Sequence, residues 1–302
     1  MSRGIIPQID EMLNMRYHAN NIKMFDNRYK AGTHQIGNRL SHSKGRGVDF
    51  DEVRPYQNGD DIRMIHWSLT ARLGKPYTKI YKEERERAVY LFVDQSSYMN
   101  FGTKVCFKNV LAANIAALLG FSALENQEQI GGIIFNDTQA QLFKPERTRQ
   151  SISNMINVLQ NQDKLLNHYD SFKTALKQLV QKIHYGSTII IISDFSKFDE
   201  ETRKYLNQIN HKTQIVNIMT YDQLEAVLPE DGGSFTFTKT GIEKLKISST
   251  LQNRERYHNS FEKRRQDIAD YSRKHGMQFI SIATNDNIID KINHGVMGYG
   301  CK

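Results

Sequence analysis

Five short runs of continuously apolar, mostly β-branched or aromatic residues punctuate this chain, at Val89–Val93, Ile130–Phe135, Thr188–Ile192, Ile215–Met219 and Phe279–Ile282. Runs that are apolar at almost every position, instead of at every second one, suit parallel strands covered on both faces. Between them, Lys104–Leu124, Arg147–Leu159, Phe172–Ile183 and Glu200–Ile209 carry apolar residues at three-to-four spacing, the period of amphipathic helices. Strand and helix patterns in alternation imply an α/β fold with a doubly wound, mostly parallel sheet. Ala140–Phe143 follows Ile130–Phe135 after only Asn136-Asp137-Thr138-Gln139, too short a link for a crossover, so an antiparallel edge strand is expected. Residues 231–250, with Gly232-Gly233 and alternating Phe235 and Phe237, read as a β insertion ahead of the long basic helix Leu251–His275.

With 302 residues, one large domain plus an added arm is the natural organisation. The boundary expected from the patterns separates 1–87, a basic N-terminal helix and extended arm, from 88–302, the main domain. Ile5–Phe25 has helical spacing and is expected to cover the sheet. The first thirty residues are interrupted by Arg3, Asp10, Glu11, Arg16, Lys23 and Arg28, unlike a signal peptide. The most apolar stretch, Val110–Phe121, falls short of the ~20 residues that span a bilayer and reads as a buried helix. Cys106 and Cys301 lie far apart without metal-ligand spacing, which fits a reducing cytoplasm; Cys106, at a helix start, is expected to pack.

The net charge of +8 is uneven: residues 1–47 hold eight Lys/Arg against three Asp/Glu. Such a field gives the sign of a partner, not its identity. Nucleic acid ranks low, because no aromatic ring other than imidazole lies between Gly32 and Val48 to stack a base.

The chemistry-bearing residues stand at strand ends. Val93 runs directly into Asp94-Gln95-Ser96-Ser97-Tyr98-Met99, and Ile192-Ser193 runs into Asp194-Phe195. In open α/β sheets ligands bind outside the carboxyl ends of the strands, and carboxylate and hydroxyl oxygens there suit a hard divalent cation. If the two strands are neighbours, Asp94, Ser96 and Asp194 can share Mg²⁺ or Mn²⁺, with Asp170 or Ser171 added from a third loop. The same residue types also serve as turn and helix-capping groups. An enzyme reading would cast the strand-end carboxylates, or Asp60, Asp61 and His66, as a metal-dependent hydrolase or nuclease centre. The chain offers no His-Glu-x-x-His, Gly-x-Ser-x-Gly or phosphate-loop motif, so a non-enzymatic binding role is expected. Arg54, Asp60, Asp61, Arg63 and Arg72 around Tyr56 and Trp67 are expected to lock the arm structurally, with a docking surface as the alternative. Gly295–Gly300 reads as a flexible tail.

The run Gly45-Arg46-Gly47-Val48-Asp49-Phe50-Asp51-Glu52-Val53-Arg54-Pro55-Tyr56-Gln57-Asn58-Gly59-Asp60-Asp61-Ile62-Arg63-Met64-Ile65-His66-Trp67, followed by Ala71-Arg72 and Asp94-x-Ser96-x-x-Met99, resembles bacterial domain-of-unknown-function family fifty-eight. That resemblance implies a fold similar to von Willebrand factor type A domains. It also implies an adaptor or chaperone-like role beside a MoxR-type AAA+ ATPase. The implied metal-ion-dependent adhesion motif is Asp-x-Ser-x-Ser with a threonine and an aspartate from other loops. Asp94, Ser96 and Asp194 match it, while Tyr98 stands where the second serine belongs and no threonine aligns; Asp170 and Ser171 are the nearest substitutes. A phenol oxygen lies too far from its backbone to replace a serine ligand at the ~2.0–2.1 Å that Mg²⁺ requires.

Overall fold

A computed structural model describes residues 3–25, 48–83, 87–161, 171–230, 233–238 and 244–297. In chain order the elements are α1 (Ile9–Asn14), β1 (Val48–Pro55), α2 (Trp67–Leu73), β2 (Tyr77–Glu83), β3 (Ala88–Asp94), α3 (Lys108–Glu125), β4 (Gln129–Phe135), β5 (Ala140–Glu146), α4 (Arg149–Gln160), α5 (Ser171–Val180) and β6 (Thr188–Ser193). They continue with α6 (Glu200–Asn210), β7 (Gln214–Tyr221), α7 (Gln223–Ala226), β8 (Ser234–Thr238), β9 (Lys244–Ser248), α8 (Leu251–Lys274), β10 (Gln278–Ala283) and α9 (Ile288–Met297). Two compact units divide the chain: Met1–Gly32 with Arg87–Lys302, and Thr33–Glu86.

The larger unit is built on a six-stranded sheet of order β10-β7-β6-β3-β4-β5. Every neighbouring pair is parallel except β4 and β5, which form the expected antiparallel edge. The fold is therefore α/β, with a doubly wound and mostly parallel sheet. Alternation along β3 explains the two cores. Val89, Leu91 and Val93 face α3 and α4, and Ala88, Tyr90 and Phe92 face α5 and α6. Burying a side chain of this size contributes about 1.5–3 kcal/mol, so a strand apolar on both faces is anchored twice over. On the second face Phe92, Phe135 and Phe172 pack ring on ring, with centroids 4.7–5.8 Å apart.

The chain leaves β3 toward β4 and β5, then returns past β3 to lay down β6, β7 and β10. Strands β3 and β6 thus flank the topological switch point, with Val93 paired to Ile192. On the other side of β3, Gly132 in β4 makes a close approach to the Leu91 backbone possible. Its φ of +146° is one that side chains resist, and a Cβ would run into the Leu91 carbonyl oxygen.

Two expectations are corrected. The N-terminal segment covers α3 instead of the sheet: Met12, Ile22 and Phe25 join the core on its outer side, and Asn293 of α9 bonds the backbone of Lys23 and Asn21. That extra layer is why α3 is apolar almost all round, as a helix covered on every side must be. Gly295 to Met297 belong to α9 and not to a tail. A Cβ on Gly295 would meet Ile280 Cγ1 at 2.6 Å, so glycine lets the helix lie close on β10. Residues 298–300 lie outside the described residues. The β insertion is present as the β8–β9 hairpin. Among the described residues no helix is long and apolar enough to cross a membrane.

The smaller unit pairs β1 with β2 antiparallel and closes with α2, which ends at Gly74 in the left-handed conformation (φ +71°). Asp60 ties it together: Arg54 Nη2 donates to Oδ1 at 2.7 Å, while Gln57 N and Thr78 Oγ1 donate to Oδ2 at 3.0 and 3.3 Å. Asp61 caps the turn Ile62–Met64 through Arg63 N, and His66 Nδ1 accepts from Leu69 N at the head of α2. These groups hold the local turns of this unit. Trp67 is not packed as an internal anchor; it remains 64% exposed.

Candidate functional site

The carboxyl ends of β3 and β6 deliver Asp94 and Asp194 to one rim, both buried. Asp94 Oδ1 accepts from Ser96 N at 2.9 Å, and Oδ2 accepts from Ser193 Oγ at 2.6 Å. Ser193 Oγ in turn accepts from Phe195 N at 3.1 Å. Asp194 Oδ1 accepts from Ser196 N at 2.9 Å, and its Oδ2 faces Lys108 Nζ, also at 2.9 Å. Phe195 between them holds a left-handed φ of +53°, a conformation costly for a bulky side chain and fixed here by burial against Phe198.

Lys108 is the unexpected member. It opens α3, is 1% exposed, and donates from Nζ to Asp194 Oδ2 and, at 2.8 Å, to Glu225 Oε1. Glu225 is fixed from its other side, because Oε2 accepts from Asp222 N in a capping box that starts α7. Asp222 then ties three loops together: its carboxylate accepts from Thr103 N and Oγ1, from Leu224 N, and from Thr284 Oγ1 at 2.6–3.0 Å.

The electrostatics follow from this wiring. Burial, reinforced by the neighbouring Asp194 charge, pushes Asp94 up to about 6 from the ordinary 3.8. Burial opposes ionisation of Asp194 as well, but the Lys108 ammonium and the Ser196 N–H outweigh it and hold that carboxyl below its usual range. For Lys108, burial alone would favour the neutral amine; the charges of Asp194 and Glu225 overcome it and keep the ammonium.

Of the residues expected to hold a metal, the structure brings Asp94, Ser96 and Asp194 together. Asp170 lies outside the described residues, and of Ser171 only its backbone place at the head of α5 is described. Tyr98 turns its ring to Lys197, whose Nζ stands 5.4 Å from the ring centroid. The donor set does not fit a resident divalent cation. Asp194 already holds the Lys108 ammonium, beside which a divalent ion shared with Asp94 would be repelled.

The sequence profile of the family described as "Protein of unknown function DUF58" matches residues 52–267. This chain belongs to the DUF58 family. Uncharacterized proteins of Mycobacterium bovis and Mycobacterium tuberculosis are 29% identical to it over 198 residues, which cover 65% of this chain and 62% of theirs. The chain therefore matches less than two thirds of the length of these curated relatives. Two solved structures are similar at lower identity. A conserved hypothetical protein BatB from Bacteroides thetaiotaomicron is 13% identical with a TM-score of 0.44, over 72% of this chain and 100% of that one. An aerotolerance-related membrane protein from Bacteroides fragilis is 14% identical with a TM-score of 0.45, over 70% and 99%.

In this DUF58 chain the residues missed by sequence reasoning are Lys108, Ser193, Asp222 and Glu225. Asp222-Gln223-Leu224-Glu225 carries a readable capping-box spacing after the strand Ile215–Met219. Lys108 gives a subtler sign. A cation in the first turn of a helix opposes the helix dipole, so a lysine there needs anions that the local sequence does not supply.

Proposed function

We propose that this chain is a non-enzymatic protein-binding module of von Willebrand factor A type, acting as an adaptor or chaperone-like partner of a MoxR-type AAA+ ATPase. The observation that supports this reading is the state of the rim acids. Asp94, Asp194 and Asp222 are buried and bonded to donors from five segments of chain, so their carboxylates hold loops in position instead of facing a substrate. Loops fixed before an encounter lose little entropy on binding, which is what a recognition surface needs. The partner class rests on the resemblance carried by Gly45–Arg72 and Asp94–Met99. A cytoplasmic place is part of the same reading, supported by Cys106 as a free thiol.

The smaller unit adds a candidate contact, since Ile62, Trp67 and Leu73 all remain exposed, and tryptophan is a common interface anchor. The test is titration of the purified chain against a purified MoxR-type ATPase of the same genome. Wild type is expected to bind, and Trp67→Ala to weaken binding about tenfold or more with its melting temperature unmoved. Absence of binding by wild type overturns the reading. So does metal-dependent hydrolysis, in a broad substrate screen, that Asp94→Ala abolishes.

A further inference from the structure

A rim that gathers several carboxylates at a sheet switch point needs a cation to be stable, because buried like charges repel strongly in a medium of low dielectric. Lys108 already supplies one. We infer that the Lys108 ammonium is the resident cation of this rim, cross-linking Asp194, just past β6, to Glu225 of α7 and holding the strand-end loops in place without a divalent metal.

Three observations carry this. The first is geometry: Nζ lies 2.9 and 2.8 Å from the two carboxylates, the ordinary separation of an ammonium hydrogen bond, whereas Mg²⁺ holds oxygens at about 2.0–2.1 Å. The second is placement. Lys108 occupies the first turn of α3, where the helix dipole disfavours it, and is nevertheless sealed from solvent. Its position is explained by the anions that surround it and by nothing local. The third is the neighbourhood: Asp94 accepts from Ser96 N and Ser193 Oγ, one bond at each oxygen, and the Tyr98 ring lies under the Lys197 ammonium. A divalent ion at Asp94 and Asp194 would have to sit beside the fixed positive charge of Lys108. This inference is independent of which partner the rim meets.

The experiment combines metal titration with a cavity variant on the full chain. In wild type, the amide resonances of Ser96 and Ser196, which report on the two aspartates, are expected to keep their linewidths under millimolar Mn²⁺, and the melting temperature to stay put with Mn²⁺ or EDTA. In Lys108→Ala, which vacates the ammonium, millimolar Mn²⁺ or ethylammonium is expected to raise the melting temperature by about 4 °C. Lys108→Met, which fills the same space without charge, is expected to show no such rise. Selective broadening of Ser96 and Ser196 in wild type overturns the inference, and that measurement stands even if Lys108→Ala does not fold. A Lys108→Ala protein as stable as wild type and indifferent to added cations overturns it equally.

Discussion

Asp94 and Asp194 end neighbouring strands yet are pushed in opposite directions, and the difference has a sign that pH can read. Asp94 titrates near 6 in the fold against 3.8 as a free side chain, so the fold favours its protonated form. The stability this contributes is complete below about pH 4 and is lost as pH rises through about 6. Asp194 behaves in reverse: its pKa is lowered, so its contribution is present above 3.8 and disappears as pH falls through the lower native value. Asp94→Asn should therefore share the wild-type urea midpoint near pH 4 and exceed it at pH 7; a difference that stays constant across this range would refute the assignment. Asp194→Asn should cost about 3–5 kcal/mol at pH 7 by denaturant unfolding, because it leaves the buried Lys108 charge half paired. Both aspartates could be read from the chain, since each directly follows an apolar run. Lys108 could not, because its two anions lie 86 and 117 positions away.

The elements were legible wherever one period dominates. β3, β4, β6 and β7 are short runs rich in β-branched and aromatic residues with no competing helical spacing, and each appears within two residues of where the pattern puts it. What the pattern omits is the layer beneath. Nothing in Ile5–Phe25 distinguishes a helix that covers a sheet from one that covers another helix, and only the all-round apolarity of α3 hints that it has a second neighbour. Met12, buried against α3, tests that layer: Met12→Ala should cost about 2–5 kcal/mol in equilibrium unfolding. Gly132 tests the sheet. Any side chain there meets the β3 backbone in a conformation that disfavours it, so Gly132→Ala should lose about 3 kcal/mol or more, read as a fall in the denaturation midpoint. Gly295 was misread because a glycine-rich terminus looks like a tail in one dimension; its close approach to Ile280 exists only in three.

At the scale of the whole molecule, the two units are held by different means, the larger by its apolar layers and the smaller by Asp60 and its three donors. Asp60→Ala should accordingly speed limited proteolysis between residues 48 and 83 while the main thermal transition stays in place. The exposure of Trp67 was not legible, since large aromatic residues are buried by default and the sequence around it offers partners of every kind. The return of the chain past β3 also bears on biosynthesis. Until residues 188–193 leave the ribosome, a nascent polypeptide that has already joined β3 to β4 still presents one bare hydrogen-bonding edge flanked by Val89, Leu91 and Val93. For the time needed to translate the roughly sixty codons from the end of β4 to the end of β6, that edge is open to aggregation.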